Sequence, residues 1–168
     1  MPPIPFWALT LMYWLHMLAA VTWVGSLAAI SILVLPAAKR TLQPLDQLAF
    51  VTAIQGRVEG AAWFSLGLLA VTGLFQLSSN VHYDGFLATS NQWSLAMLAK
   101  HILTILMIVV SAMQTWDVMP AIRRILLRRE KADRRDLDVL QRRERRLAWT
   151  NLGLAILIFG ATAIARAS

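Results

Sequence analysis

Two histidines stand inside long apolar stretches, where an ionisable ring is costly and usually marks a functional site. His16 lies nine residues after Trp7, and His101 lies eight residues after Trp93. If both helices descend from the outer face, the imidazoles lie roughly 14 Å and 12 Å below these tryptophans at 1.5 Å per residue. Two histidines at one level can supply both axial ligands of a haem b. The spacing predicts a bis-histidine haem between two helices, with electron transfer as its role.

A methionine precedes each of these histidines by four residues and favours a different ligand. Met12 shares a helix face with His16, and Met97 shares one with His101, because residues four apart are neighbours on a helix. Thioether sulfur together with imidazole suits Cu(I). The alternative to a metal role is that the methionines fill gaps in apolar packing and the histidines serve a polar network. The sequence leaves copper open beside haem.

Lys100 is the third polar residue at this depth. It directly precedes His101 but points about 100° away around the helix. Its ammonium is expected either to snorkel to the outer headgroups or to neutralise a haem propionate. Trp14 and Trp23 are expected to pack against the rim of the haem. Three glycines near this level leave room for a porphyrin or for close helix packing: Gly73, Gly153 and Gly160.

The elements that must position these residues are membrane-spanning helices. The chain is 58% hydrophobic with a mean hydropathy of +0.58, and its apolar residues are concentrated in four long blocks. In lipid a helix satisfies its own backbone groups, so the blocks predict an all-α, integral membrane four-helix bundle, a single transmembrane domain. Cysteine is absent, which excludes disulfides and thiolate metal sites. The predicted helices cover residues 6–35, 59–79, 92–118 and 147–165.

Charge sets the expected orientation of the bundle. The net charge of +7 is concentrated in the loop 119–146, the link between helices 1 and 2 carries Lys39, Arg40 and Arg57, and the loop between helices 2 and 3 has no Lys or Arg. The positive-inside rule predicts that both termini face outward and that the basic loops face the cytoplasm. Loop 119–146 is expected to be helical for much of its length, with apolar residues such as Ile122 and Leu137 facing the bilayer or a partner, and to contact anionic lipid, not nucleic acid. Arg57 and Glu59 are expected to pair, and His82 is expected in the outer loop, solvated or as a weak metal contact.

One stretch resembles a known family. The run from His16 through Trp23 to Gly25, with its Trp-x-Gly pattern, is similar to the CopD-like family of bacterial inner-membrane proteins, and so is the stretch 98–112 of the third helix, which contains Lys100. This resemblance implies copper handling across the bacterial cytoplasmic membrane. The HemJ-type proteins are distantly similar; they keep a first-helix histidine and a later lysine, bind haem b and oxidise protoporphyrinogen.

Three functions therefore stay open from the sequence. The first is a haem b-binding, CopD-like protein with His16 and His101 as ligands, and the second is a copper-handling protein using the same histidines with Met12 and Met97. The third is a non-catalytic subunit of a homo-oligomer or a larger membrane complex, surrounded by the lipid bilayer. Nucleophilic hydrolysis is disfavoured because no carboxylate lies near either histidine.

Overall fold

The computed structural model describes residues 5–79, 92–127 and 134–167, together with Gly85 and Thr89. The three described stretches form four helices, each long and apolar enough to cross a membrane. This confirms the all-α, four-helix architecture. The helices are α1 (Phe6–Thr41), α2 (Pro44–Ser78), α3 (Gln92–Leu127) and α4 (Arg134–Ala167).

Prolines do not end α1 or α3, contrary to the predicted ends at residues 35 and 118. Each helix widens into a π-helical segment, Ala29–Val34 in α1 and Gln114–Val118 in α3, just before its proline. The N–H of Leu35 then bonds to the carbonyl oxygen of Ile30, five residues back. Proline has no N–H and clashes with the preceding turn, and a π-bulge is a known way to accommodate such a break. Both helices therefore continue past their prolines.

The predicted connector 41–58 and much of the predicted loop 119–146 are also helical. Only Leu42 and Gln43 separate α1 from α2, which begins at Pro44, a residue suited to the first turn of a helix. At their inner ends the helices extend beyond the apolar blocks, because apolar side chains of these ends pack on one another. This inner cluster consists of Leu48, Val118, Met119, Ile122 and Leu137. Residues 128–133 of the basic segment lie outside the described residues.

The helices pack as two hairpins, α1 with α2 and α3 with α4. At mid-depth each helix contributes one buried side chain to a central layer, formed by Trp23, Leu66, Met107 and Ala155. Trp23 is only 4% exposed and Met107 only 2%. This central layer fills the bundle axis and separates the outer half, which holds His16 and His101, from the inner half.

The two hairpins repeat one another in sequence. The pattern Ala-Trp-x-x-Leu-Gly-Leu occurs at 62–68 in α2 and again at 148–154 in α4. In both α1 and α3, a methionine precedes a histidine by four residues. A serine, Ser26 in α1 and Ser111 in α3, follows that histidine at the same distance in both helices, and a π-helical segment and a proline come after it. Helices α1 and α3 are thus equivalent positions in a parallel repeat, an arrangement common in membrane proteins.

Candidate functional site

His16 is anchored to the neighbouring helix through its Nδ1 atom. This nitrogen lies 2.8 Å from Oγ1 of Thr72 on α2. The Thr72 hydroxyl itself donates its only proton to the carbonyl oxygen of Leu68, at 2.6 Å. Since that oxygen must then accept from the ring, Nδ1 of His16 carries the proton and donates it. The lone pair of the imidazole is therefore on Nε2, the arrangement of a metal-ligating histidine whose other nitrogen is fixed by a supporting bond.

Helix α2 forms a close wall beside this ring. A Cβ atom added to Gly73 would lie 3.4 Å from Cε1 of His16, an ordinary van der Waals contact, so this part of α2 packs directly beside the imidazole. One turn further along α2, Nε2 of Gln76 donates to the carbonyl oxygen of Met12 at 3.3 Å. Gly73 thus has the predicted close-packing role. At Gly153 and Gly160 an added Cβ would meet no described atom within 4 Å.

His101 is held in a different way. Its Nδ1 lies 2.6 Å from the carbonyl oxygen of Met97, one turn earlier on α3. A carbonyl oxygen only accepts, so Nδ1 carries the proton and the lone pair is again on Nε2. The two predicted ligands therefore have the same tautomer. His16 is positioned by α2, whereas His101 is positioned by its own helix.

Cationic side chains surround the outer end of this site. Lys100 lies within electrostatic range of the His16 ring, and Arg166 lies within range of Lys100. The Arg166 guanidinium carbon is 5.7 Å from the centre of the Tyr13 ring, which gives a cation–π contact between α4 and α1. The outer turns of the four helices contain no Asp or Glu. The mouth of the site is therefore electropositive.

Other residues singled out from the sequence lie elsewhere. Trp14 is 56% exposed, so it faces away from the bundle interior, and the expectation that it packs a haem rim is wrong. Trp23 belongs to the central layer, about two turns deeper than His16. A Cβ on Gly25 would meet no described atom within 4 Å, and this glycine is exposed. His82 lies outside the described residues.

The two methionines differ in their surroundings. Met97 packs against the buried cluster of Leu77, Trp93, Ala96 and Ala165, consistent with the gap-filling alternative. Met12 is half-buried on the face of α1 that also carries His16. Within the described ranges, no group of three or more His, Asp or Glu side chains could hold a metal ion. A metal at His16 would therefore draw its further ligands from sulfur or from residues brought in by binding.

A second polar region, in the inner half, was not predicted from the sequence. Nε2 of Gln55 donates to the Glu144 carboxylate at 2.8 Å, although both residues are buried. Nδ2 of Asn151, which is fully buried, donates to Oγ of Ser111 at 3.0 Å. The signal that could have revealed this region is a set of amide and hydroxyl side chains at the inner ends of all four helices. Each residue taken singly looks unremarkable in the sequence.

Comparison with known proteins gives one match. The family model described as copper resistance protein D matches residues 52–165, which includes α3 with Lys100 and His101, whereas His16, Trp23 and Gly25 precede the matched stretch. No curated protein and no solved structure matches the sequence. Because the family match spans more than half of the chain, this multi-pass helical membrane protein belongs to the CopD family.

Proposed function

We propose that this protein handles copper in the bacterial cytoplasmic membrane, and that it binds Cu(I) in the outer half of the bundle through Nε2 of His16. The observation that carries the proposal is the bond from Nδ1 of His16 to Thr72, whose own proton goes to Leu68. This pair of bonds fixes the ring and its tautomer before any ion arrives. Fixed second partners of this kind typically change metal affinity by about 10–100-fold.

The remaining donors at this depth match a soft ion. Met12 shares the face of His16, and His101 with Met97 forms the equivalent pair on α3. The two helices therefore carry two imidazoles and two thioethers, for one shared copper site or for one site on each helix. Thioether together with imidazole favours Cu(I). Hard cations prefer oxygen ligands such as carboxylates, and the outer turns contain no Asp or Glu. Membership of the CopD family, described by copper resistance, supports the same choice.

The central layer shapes what such a site can do. Trp23, Leu66 and Met107 fill the bundle axis directly below the histidines. An ion bound at His16 therefore faces the outer side and has no open path inward through the described helices. We propose a receiving site at the outer face, from which copper moves inward only when the central layer rearranges.

The direct test is an anaerobic Cu(I) titration of the detergent-purified protein against a chromophoric Cu(I) chelator. The proposal expects stoichiometric binding, with the affinity reduced by at least about tenfold in Met12→Leu and by more in His16→Ala. Met17→Leu is the matched control, because Met17 is on the same helix but 60% exposed on its outward side. Copper binding that is equally tight in His16→Ala would refute the proposal.

A second candidate, haem b, is favoured by the electropositive mouth. Lys100 and Arg166 could neutralise two propionates, and Nε2 of His16 and of His101 could serve as axial ligands. When bound between such ligands, haem b supplies one-electron transfer. Gly73 and the central layer leave the space beside the His16 ring narrow, so the described helices would have to separate to admit a porphyrin.

The two candidates are separated by an absorption spectrum of the same preparation, made with ample haem and reduced with dithionite. A sharp α-band that is lost in both His16→Ala and His101→Ala would establish the haem protein and make copper secondary. A preparation without a chromophore that still binds Cu(I) would leave copper as the function. Loss of the band in only one variant would show that the second histidine is not a ligand.

A further inference from the structure

The inner half of the bundle contains a cavity of about 90 Å³, separated from the outer site by the central layer. A water molecule needs about 10–15 Å³ of such space, so the cavity has room for several waters or for a partly hydrated ion. Trp23 and Trp63 form part of its apolar wall. Its polar lining comes from three helices and consists of Ser31, Gln55, Glu59, Ser111, Gln114 and Thr115.

Glu59 brings a negative charge to this lining. It is half-buried in a membrane-spanning helix, and the expected pairing with Arg57 is not formed: Arg57 is exposed, and the described residues hold no salt bridge to Glu59. Arg123 of α3 approaches α2 at Gly56, where its Nη2 lies 3.8 Å from a Cβ placed on that glycine. A carboxylate that lines a cavity in a membrane-spanning helix, with no ion pair among the described residues, is stabilised by a cation or by water.

Gln55 contributes a buried amide oxygen to the same lining. The residue is 8% exposed, and its Nε2 donates to a Glu144 carboxyl oxygen. Its Oε1 is buried, has no hydrogen-bond partner among the described residues, and belongs to a side chain that lines the cavity. Buried amide oxygens are rarely left without a donor or a cation.

Asn151 repeats this arrangement beside the cavity. It is fully buried, and its Nδ2 donates to Ser111, a residue of the cavity lining. Its Oδ1 is buried and has no hydrogen-bond partner within the described part of the chain. One carboxylate and two amide oxygens, accompanied by hydroxyls, are therefore gathered in one region with their acceptor capacity unused.

From this juxtaposition we infer that the inner cavity binds a small monovalent cation such as Na⁺, held by the Glu59 carboxylate and Oε1 of Gln55. The donor set is almost entirely oxygen, which suits a hard ion and not the soft ion proposed for the outer half. A single carboxylate in the lining balances one positive charge, and the hydroxyls of Ser31 and Thr115 can complete the shell with water. The site and the outer histidine site are thus chemically distinct and lie on opposite sides of the central layer.

The full-length protein in detergent, with copper removed by a chelator, allows a direct test. NaCl is titrated at constant ionic strength against choline chloride, with ²²Na⁺ binding and tryptophan emission as readouts, since Trp23 and Trp63 border the cavity. We expect saturable binding that weakens by at least about tenfold in Glu59→Gln and in Gln55→Leu. Asp117→Asn is the matched control, because that carboxylate is exposed and paired with Arg143.

Folding and the copper proposal are controlled separately. Thr115→Val keeps the shape of the lining while removing a hydroxyl, and it should weaken Na⁺ binding severalfold in a protein of unchanged helix content. His16→Ala should bind Na⁺ as the parent does, so that failure of the copper site does not affect the result. Absence of saturable Na⁺ binding in the folded parent would overturn the inference. So would Na⁺ affinities of Glu59→Gln and Thr115→Val that both equal the affinity of the parent.

Discussion

The two hairpins carry the same pattern but place their histidines in different surroundings. In the first hairpin, His16 donates to Thr72 and packs against Gly73 of its partner helix. In the second, His101 turns back to the carbonyl oxygen of Met97 on its own helix. The positions of α4 that correspond to Thr72 and Gly73 in the repeat are Ile158 and Phe159.

This difference shows what a repeated motif does and does not determine. Isoleucine and phenylalanine side chains offer no acceptor for an imidazole N–H, so the ring of His101 uses the backbone that is always available one turn earlier. The motif supplies a ligand in both hairpins, whereas the partner helix decides how firmly the ligand is held. We therefore expect the first hairpin to contribute more to copper binding than the second.

The largest expected effect comes from removing each imidazole. His16→Ala should lower Cu(I) affinity by about 100-fold or more, and His101→Ala by about tenfold, because the supporting bond of His16 comes from a second helix whereas that of His101 comes from its own. Chelator competition on the purified variants measures both values. A larger loss of Cu(I) affinity in His101→Ala than in His16→Ala would contradict the expectation that the first hairpin contributes more to copper binding.

The next effect concerns the residue that positions His16. Thr72→Val keeps the side-chain shape but removes the acceptor for Nδ1–H, so Cu(I) affinity should fall by about tenfold, and Thr72→Ser should restore most of it.

Thr162→Val is the matched control for this substitution. Thr162 is a half-buried threonine of α4 whose hydroxyl bonds only to the carbonyl oxygen of Ile158 in its own helix. It should leave copper binding unchanged. Equal losses in Thr72→Val and Thr162→Val would mean that helix packing, and not the bond to His16, controls the affinity.

A smaller effect is expected at the methionines. Met97 already packs in a buried apolar cluster, whereas Met12 is half-buried beside His16, so Met12→Leu should weaken Cu(I) binding more than Met97→Leu. Met113→Leu, at a residue 41% exposed on α3, serves as the control for the second hairpin. If Met97→Leu gives the larger loss, both hairpins share a single site centred on α3.

The smallest effect is expected at the glycines. Gly73→Ala would place a Cβ 3.4 Å from Cε1 of His16, an ordinary contact, so copper affinity should change by less than about threefold. Gly160→Ala, in open space on α4, should have no effect on binding or on thermal stability. A strong loss in Gly73→Ala would show that α2 approaches the ring even more closely once copper is bound.

The sequence predicted the membrane helices well because long apolar blocks have a single solution in lipid. It placed the helix ends wrongly at Pro36 and near Pro120, because a π-helical segment can accommodate a proline that would otherwise end a helix. The expectation that 119–146 is helical for much of its length is confirmed in the described part of that segment, but the sequence did not show that Ile122 and Leu137 pack with Leu48 of α2. Such packing depends on residues far apart in the chain.

For the candidate site, the sequence identified the histidines and methionines but not their supporting partners. Thr72 is an ordinary residue in an apolar helix, and only the approach of α2 to α1 gives it a role. The inner polar region was missed for the same reason, since Gln55 and Glu144 meet only when the two hairpins pack. Depth along a helix can be read from spacing, whereas the direction in which a side chain points requires the packed bundle.

The most direct test of the copper site is X-ray absorption at the copper K-edge of the Cu(I)-loaded protein, compared with the loaded Thr72→Val and His16→Ala variants. The account predicts imidazole and sulfur scatterers in the parent, a disordered imidazole contribution in Thr72→Val, and loss of that contribution in His16→Ala. A spectrum unchanged by His16→Ala would contradict the claim that Nε2 of His16 binds copper.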